Sequence, residues 1–165
     1  MAAFNVKEFE QFQKLLLAQA KSGAEDILRQ NREVLPVILT LFMGTDGTPR
    51  FKASPAYMGE RARTRAFFEI VANITPLYAI VNEIWVSEYK GREIPENAPP
   101  PSEDPQRTEA VAVTLVLRGK TIYQDRLRYT RKDGINTVGK WESADDPNFI
   151  GIHAVPEGSV FPPSP

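Results

Sequence analysis

Apolar side chains near the start of the chain recur with the period of an α-helix. The stripe consists of Phe9, Phe12, Leu15 and Leu16, which share one side of a helix at 3.6 residues per turn. Asn5 precedes it as a cap, with Glu8 three residues later as the other half of a capping box. The sequence from 22 to 25, Ser-Gly-Ala-Glu, predicts a break followed by a second short helix that ends near Asn31.

The pattern then changes to that of β-strands. Runs rich in β-branched and large apolar residues predict strands at 35–43, 50–53, 76–89, 109–117, 122–131 and 135–142. Both faces of the 76–89 segment are largely apolar, which favours a central strand covered on both sides. Ser54 and Pro55 resemble a cap followed by proline at the first helical position. We therefore expect a middle helix from there to Asn73, with an apolar face formed by Phe67, Ile70, Val71 and Ile74.

The last three predicted strands form a meander. Because successive side chains of a strand point to opposite faces, the loop lengths decide which residues share a face. Three-residue loops at 117–119 and 132–134, each ending in glycine, would put apolar residues together on one face. That face is predicted to hold Val111, Val113, Leu115, Tyr123, Leu127, Tyr129, Ile135 and Trp141. The opposite, solvated face would hold Gln124, Arg126, Arg128, Thr130, Asn136, Lys140 and Glu142. Asp125 falls on the core face in this register and needs a partner or a place at its margin.

These segments predict one α+β domain over residues 1–143. Its single antiparallel sheet of about four to six strands would be packed with the N-terminal and middle helices. Residues 144–165 lose periodicity and gain prolines, so we expect an irregular C-terminal arm there.

The connection at 90–108 has no periodicity and is rich in proline and acidic residues. Such long structureless connections inside a domain are often functional, and proline-rich segments bind with little ordering cost. Its candidate binding residues are Pro99, Pro100, Pro101, Glu103, Asp104 and Arg107.

Composition removes several kinds of chemistry. The 165-residue chain has no cysteine and one histidine, His153, so thiol nucleophiles, disulfides and the usual zinc ligands are excluded. The adjacent acids Glu103-Asp104 and Asp145-Asp146 lack the spacing of an EF-hand, and we predict no metal and no cofactor. The net charge of −1 gives no overall attraction to nucleic acid or anionic membrane. With no signal peptide or membrane span evident, the expected location is cytoplasmic.

Two sets of charged residues are candidates for activity. Glu83 and Glu109 lie in covered strands and need partners, such as Arg107 or Arg128; they could form an acid–base couple, although structural ion pairing is the simpler interpretation. Arg126, Arg128 and Lys140 share the predicted solvated face, where a basic surface could follow phosphates. No aromatic side chains suited to base stacking alternate with them.

One part of the chain resembles other proteins. Residues 83–87, Glu-Ile-Trp-Val-Ser, and then 101–111, Pro-Ser-Glu-Asp-Pro-Gln-Arg-Thr-Glu-Ala-Val, are similar to a strand–PSxxPxR–strand cassette in small uncharacterised bacterial and phage-encoded proteins. The resemblance implies a bacterial or phage origin and no particular activity.

The sequence leads to three functional hypotheses. The first is a non-enzymatic protein that binds a protein partner through the 90–108 loop and nearby strand ends. A phage-associated protein is one form of this hypothesis. The second is an enzyme that uses Glu83 and Glu109. The third is nucleic-acid binding through Arg126, Arg128 and Lys140. We expect no membrane partner, and a homo-oligomer stays open.

Overall fold

The computed structural model describes residues 6–56, 61–90, 94–143 and 149–154. Two helices and seven strands lie in these ranges. In chain order they are α1 (Val6–Arg29), β1 (Val37–Met43), β2 (Pro49–Pro55), α2 (Arg61–Ile74), β3 (Leu77–Lys90), β4 (Thr108–Leu117), β5 (Lys120–Lys132), β6 (Ile135–Ser143) and β7 (Phe149–Ala154).

All strand pairs in the described ranges are antiparallel, and they form one curled sheet. Six strands follow one another in the order β2-β1-β3-β4-β5-β6. The first part of β3 pairs with β1 and its last part, from Trp85, pairs with β7. The mixed α+β class with an antiparallel sheet and an N-terminal helix is therefore confirmed.

Helix α1 covers one face of the sheet. Its buried residues Leu16, Ala20, Ala24 and Leu28 recur every four positions and pack against a core that includes Ala79, Val81, Val111, Val113 and Leu127. The predicted break near Gly23 is wrong, because this stripe stays in contact with the sheet through the whole segment. The helix ends just before Asn31, whose φ of 59° is left-handed, as is common after a helix C-terminus. Asn5, the predicted cap, lies outside the described residues.

The opposite face of the sheet carries a second apolar cluster. Ile38, Tyr78, Ile80 and Val116 are buried there, with Phe67 and Val71 of α2 packed against them. A middle helix is therefore present, but its predicted start is wrong. Ser54 and Pro55 end strand β2 instead, because they pair with Ile38 and Val37 of β1.

The exposed side of α2 also differs from the expectation. Ile70 and Ile74 are 56% and 75% exposed, so only Phe67 and Val71 of the four predicted apolar positions contact the sheet among the described residues. Strand β3 is nevertheless covered on both faces, as its sequence predicts.

The meander has most of the predicted faces but different turns. Arg118-Gly119 and Asp133-Gly134 are two-residue turns with positive φ at both positions, and each hairpin has a register shift further along its strands. The first shift, after Leu115, places Tyr123 opposite Leu115 and Leu127 opposite Val111, which confirms the shared face. The second restores Trp141 to the core side, opposite Leu127.

Between the second turn and its shift the predicted faces are reversed. Ile135 is 61% exposed, not in the core. Asn136 lies on the side of α1, where its amide nitrogen donates to the Leu28 carbonyl at 2.9 Å. Both predictions are wrong because a two-residue turn changes the parity of every position before the compensating shift.

Asp125 lies on the core side, as the register requires, and is 5% exposed. It forms an ion pair with Lys21 of α1 and accepts a hydrogen bond from the Tyr123 hydroxyl at 2.6 Å. Lys21 also lies over the rings of Tyr123 and Trp141. This group joins α1 to the meander and supplies the partner that a buried carboxylate needs.

The C-terminal arm is not irregular throughout. Residues 149–154 form β7, in which His153 lies opposite Val86; 144–148, with Asp145 and Asp146, and 155–165 lie outside the described residues. No helix in the described ranges is long and apolar enough to cross a membrane.

Candidate functional site

Arg107 holds the proline loop, residues 94–107, against the sheet. The guanidinium of Arg107 stacks over the ring of Trp85, with its central carbon 4.2 Å from the ring centroid. Its Nη1 also donates to the carbonyls of Pro101 and Ser102. Pro101, within the loop, is buried. Arg107 therefore acts as the anchor of the loop.

Short-range backbone bonds give the rest of the proline loop a defined shape. The amides of Glu103 and Asp104 both donate to the Pro100 carbonyl, at 2.8 and 3.1 Å. The Asp104 carboxylate accepts from the Gln106 amide at 2.8 Å, which is an Asx turn. The Ser87 hydroxyl and this amide hold the pKa of the Asp104 carboxyl below its usual value. The loop thus presents a charged aspartate on an ordered turn.

A cleft of about 470 Å³ lies between the proline loop and the ends of the strands. The strands contribute Val86, Glu88 and Tyr89 of β3, Thr108 of β4 and Arg128 of β5. The loop contributes Pro99, Asp104 and Gln106. Its volume is within the range of ordinary ligand pockets.

Two arginines and two glutamates form an ion-pair network beside the cleft, and two of the four, Arg128 and Glu88, line it. Arg126 and Arg128 both bond to the Oε1 atom of Glu88, and their Nε atoms lie 3.5 and 3.1 Å from the Oε2 atom of Glu142. Burial lowers the pKa of Arg128, but the Glu142 and Glu88 carboxylates outweigh that effect and raise it. The four charges neutralise one another.

This network changes the interpretation of the basic face, the predicted solvated surface of Arg126, Arg128 and Lys140. Arg126 is 4% exposed, so the expectation of a solvated face is wrong at that position. It is tolerated in the sheet because carboxylates compensate its charge. A phosphate would have to displace those carboxylates to reach Arg126 or Arg128. Lys140 is exposed, in the irregular part of β6; nucleic-acid binding through the three residues stays a prediction.

The two candidate catalytic carboxylates share the α1 face of the sheet and flank Tyr129. Glu83 accepts a hydrogen bond from the Val34 amide at 3.0 Å and lies 3.6 Å from Arg131; neither arginine proposed from the sequence is its partner. Glu109 pairs with Trp85 and Tyr129 in the ladder. Burial, then the charges of Glu83 and Glu109, raise the pKa of the Tyr129 phenol. Neither carboxylate lines the cleft, and their acid–base role stays a prediction.

The cleft thus combines two separate groups of candidate residues. Pro99 and Asp104 of the loop and Arg128 of the basic face line it, whereas Pro100 and Glu103 are exposed elsewhere on the loop. Glu88, Tyr89, Gln106 and Thr108 were not singled out from the sequence. The available signal was their position, since they directly flank or belong to the unusual loop.

No group of three or more histidine, aspartate or glutamate side chains within the described ranges is arranged to hold a metal ion. Comparisons of the chain with protein-family models, with curated proteins and with solved structures found no match. The resemblance to the strand–PSxxPxR–strand cassette therefore stays a prediction.

Proposed function

We propose that this protein is a non-enzymatic binding protein whose partner protein occupies the cleft between the proline loop and the ends of β3, β4 and β5. The observation that carries this proposal is the cleft itself, which joins the proline loop to Arg128 in one concave surface. A concave site with a few converging polar groups is the usual form of a binding site.

The construction of the proline loop supports a binding role. Its shape is fixed by the Arg107 anchor and by turns, so little conformational entropy remains to be lost when a partner binds. The exposed residues Pro99 and Gln106 form the rim on the loop side. A partner would therefore meet a preformed wall.

The proposal is tested by filling the cleft without disturbing the fold. Gln106→Trp places a large side chain in the cleft and keeps the backbone amide that bonds to Asp104. Glu103→Trp is the matched control, because Glu103 is exposed on the same loop and does not line the cleft. Both variants and the parent chain would be immobilised and exposed to lysate of the source cell, with bound proteins quantified by mass spectrometry.

The expected result is a partner that the parent and Glu103→Trp retain and that Gln106→Trp loses. Thermal unfolding should show that both variants remain folded. Equal retention by all three proteins, or no retained protein at all, would overturn the proposal.

A further inference from the structure

The arginine that lines the cleft is already paired with carboxylates. Every nitrogen of the Arg128 guanidinium already has an acceptor: Nε bonds to Glu142 at 3.1 Å, Nη1 to the Thr108 hydroxyl at 2.8 Å, and Nη2 to Glu88. These bonds occupy three of the five N–H groups of Arg128, and its charge is balanced by the carboxylates of Glu88 and Glu142. An anionic ligand would have to compete with these two carboxylates for Arg128.

Acceptors, by contrast, remain available. Both arginines bond to the Oε1 atom of Glu88, and no described residue donates to its Oε2 atom. Asp104 has no ion-pair partner within 4 Å in the ranges that the structure describes, while the Glu88–Arg126–Arg128–Glu142 network is already neutral. Asp104 thus adds a negative charge at the cleft, on which Arg107 acts through its charge without forming an ion pair.

The remaining walls suit a long side chain with a charged end. Pro99 is exposed and offers aliphatic surface, and the ring of Tyr89 also lines the cleft; Val86, which lines it too, is only 1% exposed. The Tyr89 hydroxyl is buried and has no hydrogen-bond partner among the described residues, which is an uncommon condition for a buried polar atom. Lysine and arginine side chains combine an apolar stem with a cationic end, and an aromatic face attracts such a cation.

From these three features we infer that the cleft binds a cationic side chain, an arginine or a lysine, presented by the partner protein. This inference rests on the proposed function and adds the chemistry of the partner. The stem packs against Pro99 and Tyr89, and the charged end donates to Asp104 and to the free oxygen of Glu88.

The test uses a short arginine peptide and its uncharged analogue. Acetyl-Gly-Arg-Gly-amide and the same peptide with citrulline, which has nearly the same shape but no charge, would be titrated into 15N-labelled protein at low ionic strength. We expect the arginine peptide to shift the amide signals of Asp104, Gln106 and Thr108 with a Kd on the order of 1 mM, as for a single anchoring side chain. The citrulline peptide should shift them at least about fivefold less.

Two variants locate the effect. Asp104→Asn keeps the oxygen that accepts the Gln106 amide and removes the charge, so the turn persists while affinity for the arginine peptide falls about fivefold. Glu103→Gln removes a neighbouring charge that does not line the cleft and should leave the affinity unchanged.

Several results would overturn the inference. These are no shift with the arginine peptide, equal shifts with citrulline, shifts confined to another surface, or an unchanged affinity in Asp104→Asn. Agmatine carries the same guanidinium without a peptide; binding of agmatine but not of the peptide would assign the cleft to a small molecule and would also overturn it.

The outcomes separate this inference from the proposed function. If the arginine peptide fails while Gln106→Trp still loses the captured partner, only the cationic side chain is wrong. If the peptide fails and Gln106→Trp captures the same proteins as the parent, the cleft is not the binding site and both proposals fall.

Discussion

The strongest single test of the loop anchor is the substitution Arg107→Ala. It removes a cation–π contact worth about 0.5–1 kcal/mol at an exposed site and two bonds to the Pro101 and Ser102 carbonyls worth about 1 kcal/mol each at most. Because Arg107 is exposed, we expect about 2 kcal/mol to be lost from the closing of the loop. Global stability should fall by that amount or less.

Hydrogen exchange measures this loss directly. The amides of Glu103 and Asp104 are bonded to the Pro100 carbonyl inside the loop, so their exchange should quicken about thirtyfold when closing is weakened by about 2 kcal/mol. Amides in the centre of β4 should be far less affected. Arg107→Lys keeps the charge but loses the flat surface that stacks, and we expect it to behave much like Arg107→Ala.

A control and a contrary result complete this prediction. Lys120→Ala removes an exposed cation at the start of β5, away from the loop, and should leave exchange of the loop amides unchanged. If Arg107→Ala leaves the Glu103 and Asp104 amides as protected as in the parent, the arginine does not hold the loop and the cleft lacks the preformed wall that the proposals use.

Three further predictions concern the body of the fold. Asp125→Ala should lower the free energy of unfolding in urea by about 3 kcal/mol, because it leaves the Lys21 ammonium without its buried partner; a loss below about 1 kcal/mol would contradict this role. Gly23→Ala should stabilise the fold by about 0.5–1 kcal/mol, since Gly23 is inside a continuous helix and an added Cβ would meet open space. Gly134→Ala should destabilise the fold by about 1 kcal/mol, because Gly134 has a φ of 76°. The opposite order of melting temperatures would refute both. The free energy of unfolding should fall as the pH rises above the ordinary tyrosine pKa of 10.0. The reason is that Tyr129 then ionises in the unfolded chain, while the buried phenol, with its raised pKa, stays neutral in the folded protein. Tyr129→Phe should reduce the slope of unfolding free energy against pH, and an unchanged slope would contradict the raised pKa of Tyr129.

Local patterns predicted the elements and most of the faces. Period-two alternation placed Val111, Leu115 and Leu127 together, because one buried face fixes the parity of every strand that forms it. The same reasoning failed at Ile135 and Asn136. A two-residue turn followed by a register shift gives the same faces beyond the shift as the three-residue loop that the sequence predicts. Only the segment between them reveals the difference.

Long-range contacts explain the other failures. Gly23 has the local chemistry of a helix end, but the sheet holds α1 together on both sides of it, so tertiary packing overrides local preference. Arg126 has the pattern of a solvated strand residue, and the partners that make its burial tolerable, Glu88 and Glu142, come from two other strands. The loop could be singled out from its composition, whereas its approach to Arg128 depends on how the sheet curls.

Site-specific photo-crosslinking tests the central claim most directly, namely that a partner protein occupies the cleft. An aliphatic diazirine amino acid, close in size to glutamine so that it leaves the cleft open, would replace Gln106, which lines the cleft, and in a separate protein Lys132, which is exposed at the end of β5 and outside the cleft lining. On irradiation in lysate of the source cell, we predict a discrete crosslinked protein from position 106 and none from position 132. Crosslinks of equal yield at both positions, or at position 132 alone, would contradict the assignment of the cleft as the binding site.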